Sequence, residues 1–318
     1  MSRDEAAGGR DVPTGAHLVR DVADGDIAEI NLLRAEVIPF IVSSVEGTRA
    51  ALAATPEWVK LRWQVAEVDG RIVGWTRAGL SMFTSEPGAA DIGVVVRPEY
   101  RRRGIGTDLL TRGLAHLADI GAVTARGRVF DEPEVLAWTI RHGFGSGPGH
   151  SAQISIVDPR EVTRVAACPG HIRLVSFDDV DPRAVYDLEA ATGPDIPTNV
   201  QIAPIPYEDW LRVVWGNPDL FRAGSVVALD GERAVAYTLT IADPETGRSW
   251  TNMTGTLRSH RGLGLAKIVK VEALRRAAAA GISRAYTGND STNGPMLAVN
   301  DWLGYRKAMA QVTVVRKL

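Results

Sequence analysis

Two loops rich in arginine and glycine carry the residue types best suited to hold an anion. They are Arg101-Arg102-Arg103-Gly104-Ile105-Gly106 and Arg261-Gly262-Leu263-Gly264-Leu265-Ala266, both of the form Arg-x-x-Gly-x-Gly/Ala. Each stands between a strand-like run and a helical one. A helix that starts there presents unpaired N–H groups at the positive end of its dipole, and glycines remove the side chains that would block close approach. Neither copy ends in the Lys-Ser/Thr of the Walker loop, and neither has the third glycine of the dinucleotide fingerprint, so the target is another pyrophosphate. One copy alone is equally well a plain strand-to-helix turn; two copies in register make that the minority reading.

The register extends well beyond the loops. The interval from Gly104 to Gly121 recurs from Gly264 to Gly281, one helix closed by a glycine in each case. The turn pairs Asp69-Gly70 and Asp230-Gly231 lie at matching distances upstream, and Gly143-Phe144 and Gly304-Tyr305 at matching distances downstream. A duplicated unit follows, each copy running helix, strands, strand, loop, helix, strand, helix. In the first half the patterns predict a helix over 27–37, strands over 63–68, 71–81 and 91–96, and a helix over 107–120 with Leu110, Leu114 and Leu117 on one face. In the second they predict helices over 182–191 and 265–280 and strands over 224–229, 233–240 and 250–257. The division expected is a disordered tail over 1–16, one domain over 17–165 and another over 166–318, the boundary falling between strand-like 154–157 and 171–175.

Composition sets the remaining limits. The 318 residues suit about two domains, and 36 Lys+Arg against 38 Asp+Glu gives a net charge of −2, no sustained positive field for nucleic acid. Cys168 is the one cysteine, which excludes an internal disulfide framework and a thiolate metal cluster and suits a cytoplasmic protein. No apolar run reaches the roughly 20 residues that cross a bilayer. Lysine is confined to Lys60, Lys267, Lys270, Lys307 and Lys317 amid abundant arginine, a composition of GC-rich bacterial genomes.

The two loops, with 94–100 and 256–260 before them and a closing helix that ends in Gly-aromatic, resemble the GNAT acyl-CoA N-acyltransferase superfamily, here as two tandem copies. The resemblance implies an α/β fold, each half a mixed, mostly antiparallel sheet flanked by helices, whose fourth and fifth strands part to admit the pantetheine arm of acetyl-CoA. It implies coenzyme-binding roles for Val96, Arg101, Arg102, Arg103, Gly104, Gly106 and Thr107, and for Leu257, Arg261, Gly262, Gly264, Ala266, Lys267, Asn289 and Asn293. Family members often carry a tyrosine four residues before the closing glycine to protonate the leaving thiolate; here the positions hold Thr139 and Asn300, and an amide such as Asn300 could hydrogen-bond the sulfur.

Amine acylation also needs a base to keep the acceptor nitrogen neutral. Asp91, at the start of the strand before the first loop, sits where relatives carry a basic carboxylate; a solvated strand-end residue is the alternative. Asp195 follows the first helix of the second half, in the loop where the superfamily binds acceptors, with Tyr207, Glu208 and Trp210 soon after; a turn role is the alternative. The polar strand 250–256 suits the lining of a cleft, which favours the second half for chemistry. His260 faces solvent in this reading, and Cys168, in the linker, carries no acyl group, so transfer is direct. The expectation is a cytoplasmic enzyme that uses acetyl-CoA, without metal, to acylate a small-molecule amine in a ternary complex, as a monomeric pseudo-dimer or a homodimer. A non-catalytic acyl-CoA-binding protein and a protein N-acetyltransferase are the other readings.

Overall fold

The structure is a computed structural model and describes residues 17–147, 151–197 and 204–318. The tail expected over 1–16 lies outside the described residues. The first half contains β1 (Leu18–Asp21), α1 (Ile27–Val37), α2 (Val45–Ala54), β2 (Arg62–Val68), β3 (Arg71–Leu80), β4 (Ala89–Val96), α3 (Ile105–Asp119), β5 (Thr124–Phe130), α4 (Pro133–Arg141), β6 (Gly145–Ser146) and β7 (Ala152–Val157). The second contains β8 (Ile172–Ser176), α5 (Pro182–Thr192), α6 (Tyr207–Trp210) running into a π-helical turn over Leu211–Trp215, and β9 (Val226–Asp230). It continues with β10 (Arg233–Asp243), β11 (Arg248–Thr256), α7 (Leu265–Ala279), β12 (Arg284–Asp290), α8 (Gly294–Trp302) and β13 (Arg306–Lys317).

Local chemistry accounts for the main elements. Asp69 and Gly70 both have positive φ, 51° and 76°, the requirement of a two-residue hairpin turn, and they join β2 to β3. In α3, Leu109, Leu110 and Leu117 are buried against the sheet, and Gly121 with φ 78° ends the helix. In α1, Ile27, Ile30 and Leu33 make a buried stripe against Val65, Ile72 and Trp75. Truncating any one of those leucines to alanine removes burial worth about 2–5 kcal/mol.

The strands form one 13-stranded sheet in the order β1-β2-β3-β4-β5-β13-β7-β12-β11-β10-β9-β8, with β6 paired to β13. Each half is a mixed sheet, antiparallel except where β4 meets β5 and β11 meets β12. The terminal strands are exchanged. The last strand of the chain, β13, pairs with β5 of the first half, while β7 pairs with β12 of the second, and β13 and β7 pair with each other at the centre. Residues around the 165/166 boundary form a strap on the second half, where Val162 and Ala166 pack with Val271, Leu274 and Leu303 and Arg164 Nε donates to the Trp302 carbonyl at 3.0 Å.

Lys270, in the middle of α7, is 2% exposed. Its ammonium lies 5.2 Å from the centroid of the Tyr305 ring, and burial pushes its pKa down from 10.5 to about 7. Between those two values the folded protein binds fewer protons at this site than the unfolded chain, so the contribution of Lys270 to stability rises with pH from about 7 to 10.5. Lys270→Met is expected to flatten that rise in pH-dependent melting curves and to raise the melting temperature at pH 6 by several degrees, at roughly 2–4 °C per kcal/mol for a chain this size. An unchanged pH slope would contradict it. The exchanged strand makes a second expectation. Deleting 306–318 bares the edges of both β5 and β7, so size-exclusion chromatography should show aggregates in place of a discrete folded species, and a monomer with a full cooperative melt would contradict the coupling.

Candidate active site

The wedge begins where β4 and β5 part. They pair in parallel only from Ala89 to Asp91 and from Thr124 to Arg126, and beyond that the inner edges of 92–96 and 127–130 have no strand partner. Their outer edges stay fully paired, β4 to β3 and β5 to β13, so the gap is held open from both sides. Buried backbone groups left unpaired need a ligand or water. The same parting occurs in the second half, where β11 and β12 pair only from Arg248 to Thr251 and from Arg284 to Thr287.

The first loop closes the mouth of the first wedge. Arg102 and Gly104 have φ values of 64° and 82°, and Gly104 caps α3 with no side chain to satisfy the first-turn N–H groups. Arg101 Nε donates to the Val96 carbonyl at 3.2 Å, and Arg103 lies over the Tyr100 ring at 5.2 Å. A Cβ at Gly106 would meet only Val96 and Trp138, at 3.6 and 3.7 Å. Thr107 Oγ1 is 3.1 Å from His142 Nε2, and the His142 ring packs on Trp138. This loop is continuous with a cleft of about 1380 Å³ lined by α1, β3, β4, β5 and α4, and walled on its far side by Asn217, Asp219, Trp250 and Asn252 of the second half.

The second loop repeats this backbone geometry, with Gly262 in place of Arg102, Leu263 of Arg103 and Ala266 of Gly106, and it carries a carboxylate. Gly262 and Gly264 take φ values of 80° and 76°, and Arg261 Nε donates to the Thr256 carbonyl at 3.3 Å. Here the Asp195 carboxylate, 15% exposed, accepts from Arg258 Nε at 3.1 and 2.9 Å, from Arg258 Nη2 and from Arg261 Nη2. The Arg258 and then the Arg261 hydrogen bonds hold that carboxyl well below the usual carboxylate range. A carboxylate held by two guanidiniums is a poor proton acceptor, which weighs against Asp195 as an acid or base.

The remaining expected residues fall as follows. Asn300 is 3% exposed, and its Nδ2 donates to Asn289 Oδ1 at 2.6 Å, so both amides bind each other inside the second half. Asn293 caps α8 by accepting from the Met296 N–H at 3.3 Å. The Lys267 ammonium lies 4.8 Å from the Trp302 ring centroid. Leu257 N–H donates to the Val235 carbonyl at 2.9 Å, which aligns the strand end with the loop, and Ala266 sits in the first turn of α7. Thr139 is buried with its hydroxyl donating to the Leu136 carbonyl at 2.8 Å, and His260 contacts Asp230 at 3.2 Å. Cys168 is exposed. The expectation that chemistry belongs to the second half meets a cleft that opens on the first.

Asp91 does lie in that cleft, at the last paired rung before the wedge. Cross-strand register puts Asp91, Gly93 and Val95 on the same face as Gly79, Arg77 and Trp75, the face covered by α1. Arg77 and Asp91 both line the cleft. Sequence reasoning missed Arg34, Arg77 and Asp219. The available signal was an arginine breaking an apolar stripe: Arg34 stands one turn after Ile30 and beside Leu33, and Arg77 interrupts a strand that is otherwise buried on both faces.

Among the described residues no helix is long and apolar enough to cross a membrane, and no group of three or more His, Cys, Asp or Glu side chains is placed to hold a metal. The profile of the acetyltransferase (GNAT) family matches residues 37–140, the stretch from the end of α1 through most of α4. Mycothiol acetyltransferase of Nocardioides sp. is 26% identical over 295 residues, 86% of this chain and 95% of that protein. A tandem GNAT protein from the clavulanic acid biosynthesis pathway superposes with a TM-score of 0.70 at 20% identity, over 95% of this chain and 98% of its own. A GCN5-related N-acetyltransferase from Sphaerobacter thermophilus does so with a TM-score of 0.69 at 17% identity, over 95% of each chain. With its paired wedges and two glycine loops, the chain has the fold of the tandem GNAT proteins, and its residues 37–140 match the acetyltransferase (GNAT) family.

Proposed function

We propose that the protein transfers the acetyl group of acetyl-CoA directly to the amine of a small molecule, within a ternary complex, and that the first half does the chemistry. One observation carries the reading: among the described residues, the large cleft joins a wedge, an anion loop and a carboxylate in the first half, whereas in the second the Asp195 carboxylate already occupies the side chains of Arg258 and Arg261. The pyrophosphate would meet the first-turn N–H groups of α3 from Gly104 to Thr107 together with Arg101 and Arg102, and the pantetheine amides would pair with the free edge of 92–96. These residues fit the coenzyme, since positive-φ Gly104 and side-chain-free Gly106 leave the approach clear.

In the transfer itself the acceptor nitrogen attacks the thioester carbonyl, the N–C bond forms and the C–S bond breaks. Asp91 takes the proton that the ammonium must lose, and the departing sulfur carries away an electron pair, ending as the thiol once protonated. The hydroxyl of Thr139 is turned into its own helix and takes no part. A thiolate is a stable enough leaving group to depart without a dedicated acid. A relative named for mycothiol fits an acceptor of small-molecule size, and the cleft, enclosed between the halves, suits one better than a protein surface.

The coenzyme stoichiometry tests which half binds. Calorimetric titration should give one coenzyme A per chain, Gly106→Asp should abolish it while retaining the melting transition, and Ala266→Asp should leave it intact. Two sites, or loss of binding in Ala266→Asp alone, would place the coenzyme in the second half. The chemistry is tested separately. Asp91→Asn should lower kcat by about 10²–10⁴, initial-rate plots should intersect, and Cys168→Ser should leave turnover unchanged. Parallel plots with an acyl group trapped on Cys168 would overturn direct transfer.

A further inference from the structure

Two guanidiniums in the cleft make no direct ion pair, although the charges of Asp219 and Asp91 act on Arg34 and Arg77 from farther off. Arg34, in the last turn of α1, and Arg77, in the middle of β3, both line its acceptor side. No carboxylate among the described residues comes within 4.0 Å of either. Arg34 Nη1 reaches only neutral oxygens, Asn31 Oδ1 and Thr48 Oγ1, both at 3.4 Å, and Arg77 lies over the Trp63 ring at 5.8 Å. Enclosure by the cleft walls pushes the Arg34 guanidinium down to about 10, and the positive charge of Arg77 pushes in the same direction. Arg77, exposed on its strand, is lowered as well by partial desolvation, with the Asp91 carboxylate opposing.

Elsewhere the chain answers its enclosed arginines. Arg97 is held by the Ile72 carbonyl at 3.1 Å and by Glu36, Arg126 by Glu86, and Arg248 by the Pro39 carbonyl at 3.1 Å with Asp243 at 4.0 Å. At this end of the cleft the nearest carboxylates have other work. Asp219 accepts from Ser43 Oγ at 3.1 Å and from the Ser44 N–H at 3.0 Å, and Asp91 stands beside the wedge. The Arg77 charge disfavours the charged form of Arg34, and an anion that binds both guanidiniums relieves that repulsion.

We infer that the acceptor is an amine that also carries an anionic group, a carboxylate or a phosphate, and that Arg34 and Arg77 bind this group while Asp91 receives the amine. The inference rests on the first half being the reacting one. An uncharged amine would leave both guanidiniums facing each other; a zwitterionic or phosphorylated amine matches Asp91 at one end and the arginines at the other. Arg34 and Arg77 thus select the acceptor and have no part in the acyl chemistry.

The test uses the full chain saturated with coenzyme A, so that the loop anion site is already filled. The probes are the L-amino acids beside their carboxamides, and glucosamine 6-phosphate beside glucosamine. They are read by calorimetry and, with acetyl-CoA, by thiol release. The expected result is binding and turnover of an anionic member at least ten times stronger than of its uncharged partner. Arg77→Gln and Arg34→Gln should each raise KM for that member at least tenfold and leave KM for acetyl-CoA unchanged, with Arg77→Lys in between. The two series separate carboxylate from phosphate. Equal use of charged and uncharged partners, or no anionic member binding while coenzyme A still binds, overturns the inference and leaves the coenzyme assignment standing. Failure of coenzyme A itself to bind overturns both.

Discussion

The parting of β4 from β5 is the constraint on which everything else depends. Two parallel strands that have begun to pair would normally continue, because each unmade rung leaves an N–H and a carbonyl to satisfy. Here they stop after Asp91 and Arg126, since each strand is committed along its outer edge, β4 to β3 and β5 to β13. The strand that holds β5 in place comes from the far end of the chain, so the wedge in the first half exists only when the second half has folded beside it. That dependence makes the tandem arrangement a structural requirement of the site, and it also supplies the far wall of the cleft through Asp219, Trp250 and Asn252.

The two copies show how one backbone plan serves two ends. Their capping glycines share the left-handed conformation, with φ of 82° and 76°, and each first arginine reaches the equivalent carbonyl in the strand before it. In the second copy Asp195 pairs with both Arg258 and Arg261, so a pyrophosphate there would have to compete with a carboxylate for those side chains. The second half lends the first a strand, a wall and the packing of Trp250 against Phe40 across the seam.

Much of this was legible in the residues. The glycine intervals give the duplication, apolar spacing gives α1 residue for residue and the long helices to within about two residues at each end, and the Asp-Gly turns give the hairpins. The strand exchange was not legible, because alternation along β13 says which face is buried and nothing about which neighbour it pairs with. Asp195 looked like a free acid because its partners, Arg258 and Arg261, are far along the chain and meet it only in the fold. Asn300 and Thr139 occupied the position of an acid in sequence, but Thr139 turns its hydroxyl into its own helix and Asn300 donates to Asn289 on β12. Arg34 and Arg77 were passed over as ordinary charges, although an arginine inside an apolar pattern needs a reason to be there.

A crystal structure of the chain with coenzyme A bears most directly on the central claim, that the first wedge is the working site and the second is closed by its own carboxylate. It should show the pyrophosphate on the Gly104–Thr107 turn, the pantetheine between β4 and β5, and Asp195 still on Arg258 and Arg261. A coenzyme seated on Gly264 with Asp195 displaced, and the first wedge left without one, would contradict the account.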